Sequence, residues 1–292
     1  QLGRLMQRFP TVWSLHDMWP FLGASHYADW GTGKVPSLPP GIERWMVRRK
    51  RAAWPGKGHV TVPSHWMESF VRQSELLGNW QIHHVPWALN TKIFFPESRE
   101  SARQLLGIPE GKRVVVFGAV GKPGDWRKGA DLLRRAVTSA PLDSTDYMFL
   151  FFGGNYASFL GNDKNTMSFG TVRDSNLLRA IYSAGDVLAL PSRYDNFPLV
   201  GMEALLCGLP VVAFDATGTA ELFEQDIDGL YAEPYVAEAF GAALAAVTSD
   251  PALLGSSVLR ERRHQKFRGI WGFDAVAQKL AAVYDEVVNG SQ

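Results

Sequence analysis

Apolar residues follow two rhythms along this chain. Short consecutive runs, of which Val187-Leu188-Ala189-Leu190 is the clearest, read as strands buried on both faces, as in a covered parallel sheet. Between them lie stretches with apolar residues at helical spacing. The pattern predicts strands at residues 11–15, 59–62, 81–85, 113–117, 147–152, 187–190 and 210–214. It predicts helices over 127–138, 175–183 and 273–288, the last with Ala277, Leu280, Ala281, Tyr284, Val287 and Val288 on one face. Ser64 suits the N-cap of a helix through Leu77, with Glu68 one residue beyond the capping-box spacing. Such alternation is the mark of α/β architecture with parallel sheets. The pattern breaks between Pro86 and Pro96, so domains are expected at 1–96 and 97–272, followed by a terminal helix at 273–292.

The most informative stretch is 191–214. It reads as a loop, a short helix with Pro198 in its first turn and Gly208 just past its end, and then a buried strand. Asp195 and Glu203 stand eight residues apart; if all of that is helix, they are separated by about 12 Å, the reach from a sugar ring to a ribose across a diphosphate. Free amides at a helix start suit the diphosphate itself. The stretch therefore has the layout of a nucleotide-sugar site.

Composition narrows the picture. A chain of 292 residues has the size of about two domains. Its net charge of +1 argues against wholesale nucleic-acid binding, which needs a basic excess. A single cysteine, Cys207, excludes an intramolecular disulfide framework and fits a reducing, cytoplasmic compartment. No apolar run has the length of a membrane span, and no charged-then-apolar leader opens the text.

Four segments in order carry a family resemblance. The Asp195/Glu203 stretch resembles the E-x7-E signature of retaining family 4 glycosyltransferases, with Asp195 in place of the first glutamate. Residues 13–21, Trp-Ser-Leu-His-Asp-Met-Trp-Pro-Phe, are similar to the His-Asp segment of the branch that builds colanic acid and other exopolysaccharides in bacteria. Residues 85–96 resemble the family's hinge, with Asn90 where an aspartate is usual. Residues 127–133, Arg-Lys-Gly-Ala-Asp-Leu-Leu, match its Lys-Gly segment. The resemblance implies a GT-B fold of two facing Rossmann-like domains with parallel sheets. Relatives place a strand, a glycine-rich loop and further α/β units ahead of the point where this text opens, so the first domain is expected to be truncated. The terminal helix is expected to return to that domain.

The implied reaction moves a hexose from a nucleoside diphosphate sugar to a saccharide or lipid-linked saccharide acceptor, with retention at the anomeric carbon and no cofactor. Lys128 is expected to meet the diphosphate, after a loop holding Gly121, Lys122 and Gly124. Where the family commonly carries an arginine, Gly118-Ala119-Val120 has none, which leaves Lys122 or Arg127 for that role. Glu203 is expected on the ribose, since a carboxylate accepts two hydrogen bonds from a vicinal diol. Asp195 is placed on the sugar, His16 beside it, and Asn196, Phe197 and Leu199 offer backbone amides. Each has a plainer alternative: Lys128 and Glu203 as solvated helix residues, Asp195 as an Asx-turn residue, His16 as a structural histidine. Asp226-Ile227-Asp228 imitates a metal-binding Asp-x-Asp but sits in a turn, and no metal site is expected. Arg48-Arg49-Lys50-Arg51 is open to two readings, a solvated helix face or a peripheral contact with the inner face of a membrane. Rival readings of the whole are a non-catalytic sugar-nucleotide-binding fragment and an epimerase or phosphorylase of the same fold.

Overall fold

The computed structural model describes residues 2–27, 40–119, 125–138, 142, 146–154 and 165–290. Gly121, Lys122 and Gly124 lie outside them. The chain divides into two compact units, residues 1–87 with 274–292 and residues 88–273.

The first unit holds α1 (Leu2–Met6), β1 (Val12–Ser14), α2 (Pro40–Ala53), β2 (His59–Val62), α3 (His65–Gln73) and β3 (Gln81–His84). The strands form a parallel sheet in that order. Ser64 caps α3, its hydroxyl accepting from the Met67 amide at 3.1 Å. The helix ends at Gln73 rather than Leu77 because Ser74 turns extended and spends its own hydroxyl on the Leu77 amide. Val60 and Val62 face a core with Leu15, Met18, Met67, Val71 and Trp80.

The second unit runs α4 (Arg99–Leu106), β4 (Arg113–Gly118), a 3-10 turn (Trp126–Lys128), α5 (Ala130–Thr138), β5 (Tyr147–Phe152), β6 (Thr166–Ser168), α6 (Ser175–Ala184), β7 (Val187–Leu190), α7 (Leu199–Leu206), β8 (Val211–Phe214), β9 (Gly229–Ala232), α8 (Ala237–Ser249), α9 (Pro251–Leu254) and α10 (Ser257–Trp271). Its sheet is parallel throughout, in the order β6-β5-β4-β7-β8-β9. Leu132, Leu133, Phe240 and Leu244 cover one face, meeting Val115, Phe117, Phe149 and Phe214. On the other, the Tyr182 ring of α6 meets Phe152 edge-on at 5.5 Å. Burial on both faces explains the unbroken apolar runs of β4, β5, β7 and β8. The chain then enters α11 (Phe273–Asn289), whose Val276, Val283 and Val287 pack with Val85 in the first unit. Among the described residues no helix is long and apolar enough to cross a membrane.

Two features mark the carboxyl edge of the second sheet. The strand order reverses between β4 and β7, and ligands of such sheets bind beyond the carboxyl ends of strands at that switch point. The helix predicted over 127–138 is broken there. Gly129, in the left-handed region at φ 65°, separates the 3-10 turn from α5, and a Cβ at this position would stand 1.7 Å from the Pro191 carbonyl oxygen. The loop after β4 thus approaches the loop after β7 as closely as backbone permits, which only glycine allows. Gly129→Ala is expected to lower stability by about 2 kcal/mol or more, through the left-handed backbone and the forced separation of the two loops. Scanning calorimetry checks this; an unchanged Tm would mean that the loops part without cost.

Candidate functional site

At the switch point the two loops are tied by backbone and side chains together. The Arg127 carbonyl accepts from the amides of Arg193 at 2.7 Å and Tyr194 at 3.4 Å. Arg193, although buried, gives its guanidinium to the Trp126 carbonyl at 3.0 Å and grips both oxygens of Asp131 at 2.6 Å. That fork holds the Asp131 carboxyl below its ordinary range. It also stacks over the Trp126 ring, 5.0 Å from its centre. Family motifs do not point to Arg193. Its signal in the sequence is a basic residue inside a buried loop directly after an apolar strand, which calls for a partner.

This framework brings two predicted site residues together. Lys128 Nζ donates to Asp195 Oδ2 at 2.7 Å, with 29% and 13% of the respective side chains exposed. The pair is sheltered but reachable. Arg127 is turned elsewhere: its guanidinium is held by Asp125 at 2.7 and 3.1 Å. Asp195 precedes the helix and does not belong to it. Its carbonyl accepts from the Gly218 amide at 3.2 Å, and α7 begins only at Leu199, so the all-helical 12 Å spacing to Glu203 does not apply. The intervening turn exists because Pro198 has no amide hydrogen and sits at the N-cap.

The start of α7 is open. Its N-cap makes no side-chain hydrogen bond, and the first-turn amides of Leu199 and Val200 have no backbone acceptor among the described residues. The Leu199 side chain is exposed, whereas Asn196 and Phe197 are buried, Phe197 meeting the Trp271 ring edge-on at 6.0 Å. The other end of α7 is closed by α10, a helix the apolar pattern does not predict. Arg263 donates to the Gly208 carbonyl at 2.6 Å, and His264 Nδ1 lies 2.7 Å from the Leu206 carbonyl. Gly208 takes φ 74°, with a Cβ excluded by Arg260.

Glu203, on α7, accepts a hydrogen bond from the Tyr182 hydroxyl at 2.7 Å. Burial pushes its carboxyl up to about 7 despite the opposing effect of that bond. The Tyr182 phenol is itself driven well above its ordinary value, by burial first and then by Glu203. No local pattern announces Tyr182, because the contact joins residues 21 apart in sequence.

Other sequence-selected residues fall elsewhere. His16, in the first unit, is exposed and stacks on Trp87, ring centres 4.4 Å apart and nearly parallel. Asp17 beside it accepts from the Trp19 amide at 2.9 Å and pairs with His26 at 2.5 Å. The basic run is not a uniform face. Arg48, Arg49 and Arg51 are exposed, but Lys50 is buried. Its ammonium donates to the carbonyls of Trp19 and Leu22 and lies over the Trp19 ring, and burial lowers it to about 8. Lys50 is therefore removed from the surface patch; three carbonyl and ring partners compensate its desolvation. Asp228 is also committed: it is buried and ion-paired with Lys266 at 2.6 Å and Arg263 at 3.4 Å, while Asp226 occupies a left-handed turn position.

The Glu203 environment sets a pH dependence. Its folded value lies above the ordinary carboxyl range, so between the two the folded state holds a proton that the unfolded chain has released. Stability from this group is present below about pH 4 and is lost as pH rises toward 7. Glu203→Gln should raise Tm relative to the parent above pH 7 and leave it unchanged near pH 4, as calorimetry at the two pH values would show. An equal shift at both would remove ionisation as the cause.

Residues 111–250 match the model of the family described as "Glycosyl transferases group 1". The D-inositol 3-phosphate glycosyltransferase 1 of Catenulispora acidiphila is 28% identical over 229 residues, 73% of this chain and 53% of that protein. The D-inositol 3-phosphate glycosyltransferase of Saccharomonospora viridis is 30% identical over 186 residues, 58% of this chain and 42% of that protein. The chain thus spans about half the length of the curated relatives it matches. Among solved structures, sucrose-phosphate synthase from Thermosynechococcus elongatus superposes with a TM-score of 0.76 at 23% identity, covering 98% of this chain and 70% of that one. Anabaena HepE in complex with UDP and glucose gives 0.69 at 18%, covering 96% and 73%. These likenesses give the GT-B glycosyltransferase fold. The chain thus has the GT-B fold, and residues 111–250, a little under half of it, resemble the glycosyl transferases group 1 family.

Proposed function

We propose that the second unit holds a nucleoside diphosphate sugar at the β4/β7 switch point. In this reading the protein moves a hexose from that donor to a saccharide or lipid-linked saccharide acceptor with retention of anomeric configuration, in the biosynthesis of exopolysaccharide. The observation that carries the reading is the Lys128–Asp195 pair beside the open start of α7. Glycosyl transfer has two electrostatic demands: the leaving diphosphate gains negative charge, and the sugar becomes oxocarbenium-like. Lys128 and the α7 amides answer the first. Asp195 answers the second, either through the sugar hydroxyls or through the developing positive charge.

The pairing also defines how the site works. A diphosphate competes with Asp195 for the Lys128 ammonium, and its arrival frees the carboxylate to turn to the sugar. Glu203 keeps one oxygen on Tyr182 and offers the other to a ribose hydroxyl, a contact that draws it toward the ionised form. Asn196, Phe197 and Leu199 contribute backbone amides, and Arg127 serves as a second cation only on leaving Asp125. The exposed Arg48, Arg49 and Arg51 offer a peripheral contact to an anionic membrane face, where a lipid-linked acceptor would reside. Since Lys128 and helix amides supply the positive charge, and Asp228 is held in ion pairs, donor binding needs no divalent metal.

Calorimetric titration tests the assignment. UDP or GDP should bind the chain in EDTA, and Lys128→Ala should weaken the diphosphate about tenfold, the worth of one charge-assisted hydrogen bond. Binding of the bare nucleoside should be unchanged. Equal losses for nucleotide and nucleoside would refute the role of Lys128, and dependence on Mn²⁺ would refute metal independence.

A further inference from the structure

The face of the first sheet turned toward α11 carries polar side chains that the transfer reaction does not use. Parallel pairing of β2 with β3 sets Thr61 opposite His83 and Val60 opposite Ile82. Side chains alternate along a strand, so His59 and Thr61 share a face with His83, while Val60, Val62 and Ile82 point into the core on the other side. The α11 helix covers the histidine face, bringing Glu286 to it between Val283 and Val287. His59 Nδ1 lies 3.1 Å from His83 Nε2, and His83 Nδ1 lies 3.9 Å from Glu286 Oε2. One ligand atom from each of the three residues falls within 4.8 Å of the others.

We propose that His59, His83 and Glu286 bind one divalent transition-metal ion of the Zn²⁺ class, which pins α11 to the β2–β3 edge of the first unit. The donor set argues for that class: two imidazoles and a carboxylate suit Zn²⁺ and its late first-row neighbours, whereas Mg²⁺ and Ca²⁺ take oxygen shells. The spacing also fits. Bonds of about 2.0–2.1 Å at tetrahedral angles separate ligand atoms by about 3.3–3.4 Å; His83 would bind through one ring nitrogen, and rotation of the exposed Glu286 side chain would close the remaining distance. The histidines are half-buried, so their rings are already held by the sheet, while the Glu286 side chain is 57% exposed and leaves an approach from solvent. A fourth position is filled by water.

The site is structural. It lies beneath α11 on the sheet face, not beyond the carboxyl ends of the strands where a substrate would sit. The ion would join residues 59 and 83 to residue 286, the two ends of the chain's path through this unit, and would bind the folded state alone.

The test uses the whole chain, stripped with chelator, and the metal alone as probe. Titration with Co²⁺ should give one equivalent with the visible absorption of a tetrahedral site, displaced by Zn²⁺, and Zn²⁺ should raise the thermal midpoint. His59→Ala with His83→Ala should abolish both signals. Because that variant alters a half-buried face, the exposed Glu286→Gln is the second arm: it should leave the metal-free midpoint unchanged and weaken Co²⁺ at least tenfold. His65 and His84 form a second histidine stack, 4.3 Å apart, and changing them to alanine is the control that should leave binding intact. Failure to bind at millimolar metal, undiminished binding after Glu286→Gln, or loss through His65 and His84 would each overturn the assignment.

Discussion

The proposed site in the second unit depends on one close approach, the Gly129 backbone against the Pro191 carbonyl. Parallel sheets leave a crevice where the strand order reverses, but a crevice alone places no side chain. The glycine contact fixes the distance between the loops after β4 and β7. The Arg193 fork, spanning Trp126 and Asp131, fixes their orientation. With both set, Lys128 and Asp195 meet without freedom to separate far. Ordering two long side chains normally costs conformational entropy. Here the loops have met that cost during folding.

The buried charges around the site serve the same rigidity. α10 supplies Arg260 and Arg263 to carbonyls at the ends of α6 and α7, where backbone oxygens would otherwise be buried without partners. Arg260 gives its two terminal nitrogens to Ser183 and Gly185, and burial lowers it to about 10. Asp186, fully buried at the start of β7, takes Arg103 at 2.8 Å and the Val114 amide at 2.7 Å, which anchors α4 to the central strands. Breaking one such pair would leave an uncompensated charge in the interior, a larger penalty than the pair's own worth. Charge of both signs is thus spent on holding helix ends, whereas Lys128 and Asp195 stay partly open to solvent.

The sequence makes legible the parts of this design that are written locally. The β7–α7–β8 unit can be read because its strands are buried on both faces and Gly208 marks the helix end. Lys128 and Asp195 can be singled out because both lie in segments that resemble family motifs, although their contact cannot. What stays hidden depends on partners distant in the chain. Nothing near Gly129 announces the Pro191 carbonyl, so the local pattern predicts a continuous helix where the chain breaks. Lys50 reads as one member of a basic run until the Trp19 and Leu22 carbonyls arrive from 31 and 28 residues away. α10 escapes because its buried face includes Arg260, Arg263 and His264, which no apolar periodicity records.

In the proposed site Lys128 exchanges Asp195 for a diphosphate, and a double-mutant cycle on UDP affinity tests that exchange most directly. Asp195→Ala should leave affinity equal or raise it, since the ammonium loses a competitor, and the gain should vanish in a Lys128→Ala background. If Asp195→Ala instead weakened UDP as much as Lys128→Ala, with no further loss in the double variant, the pair would be scaffold alone and the exchange would be wrong.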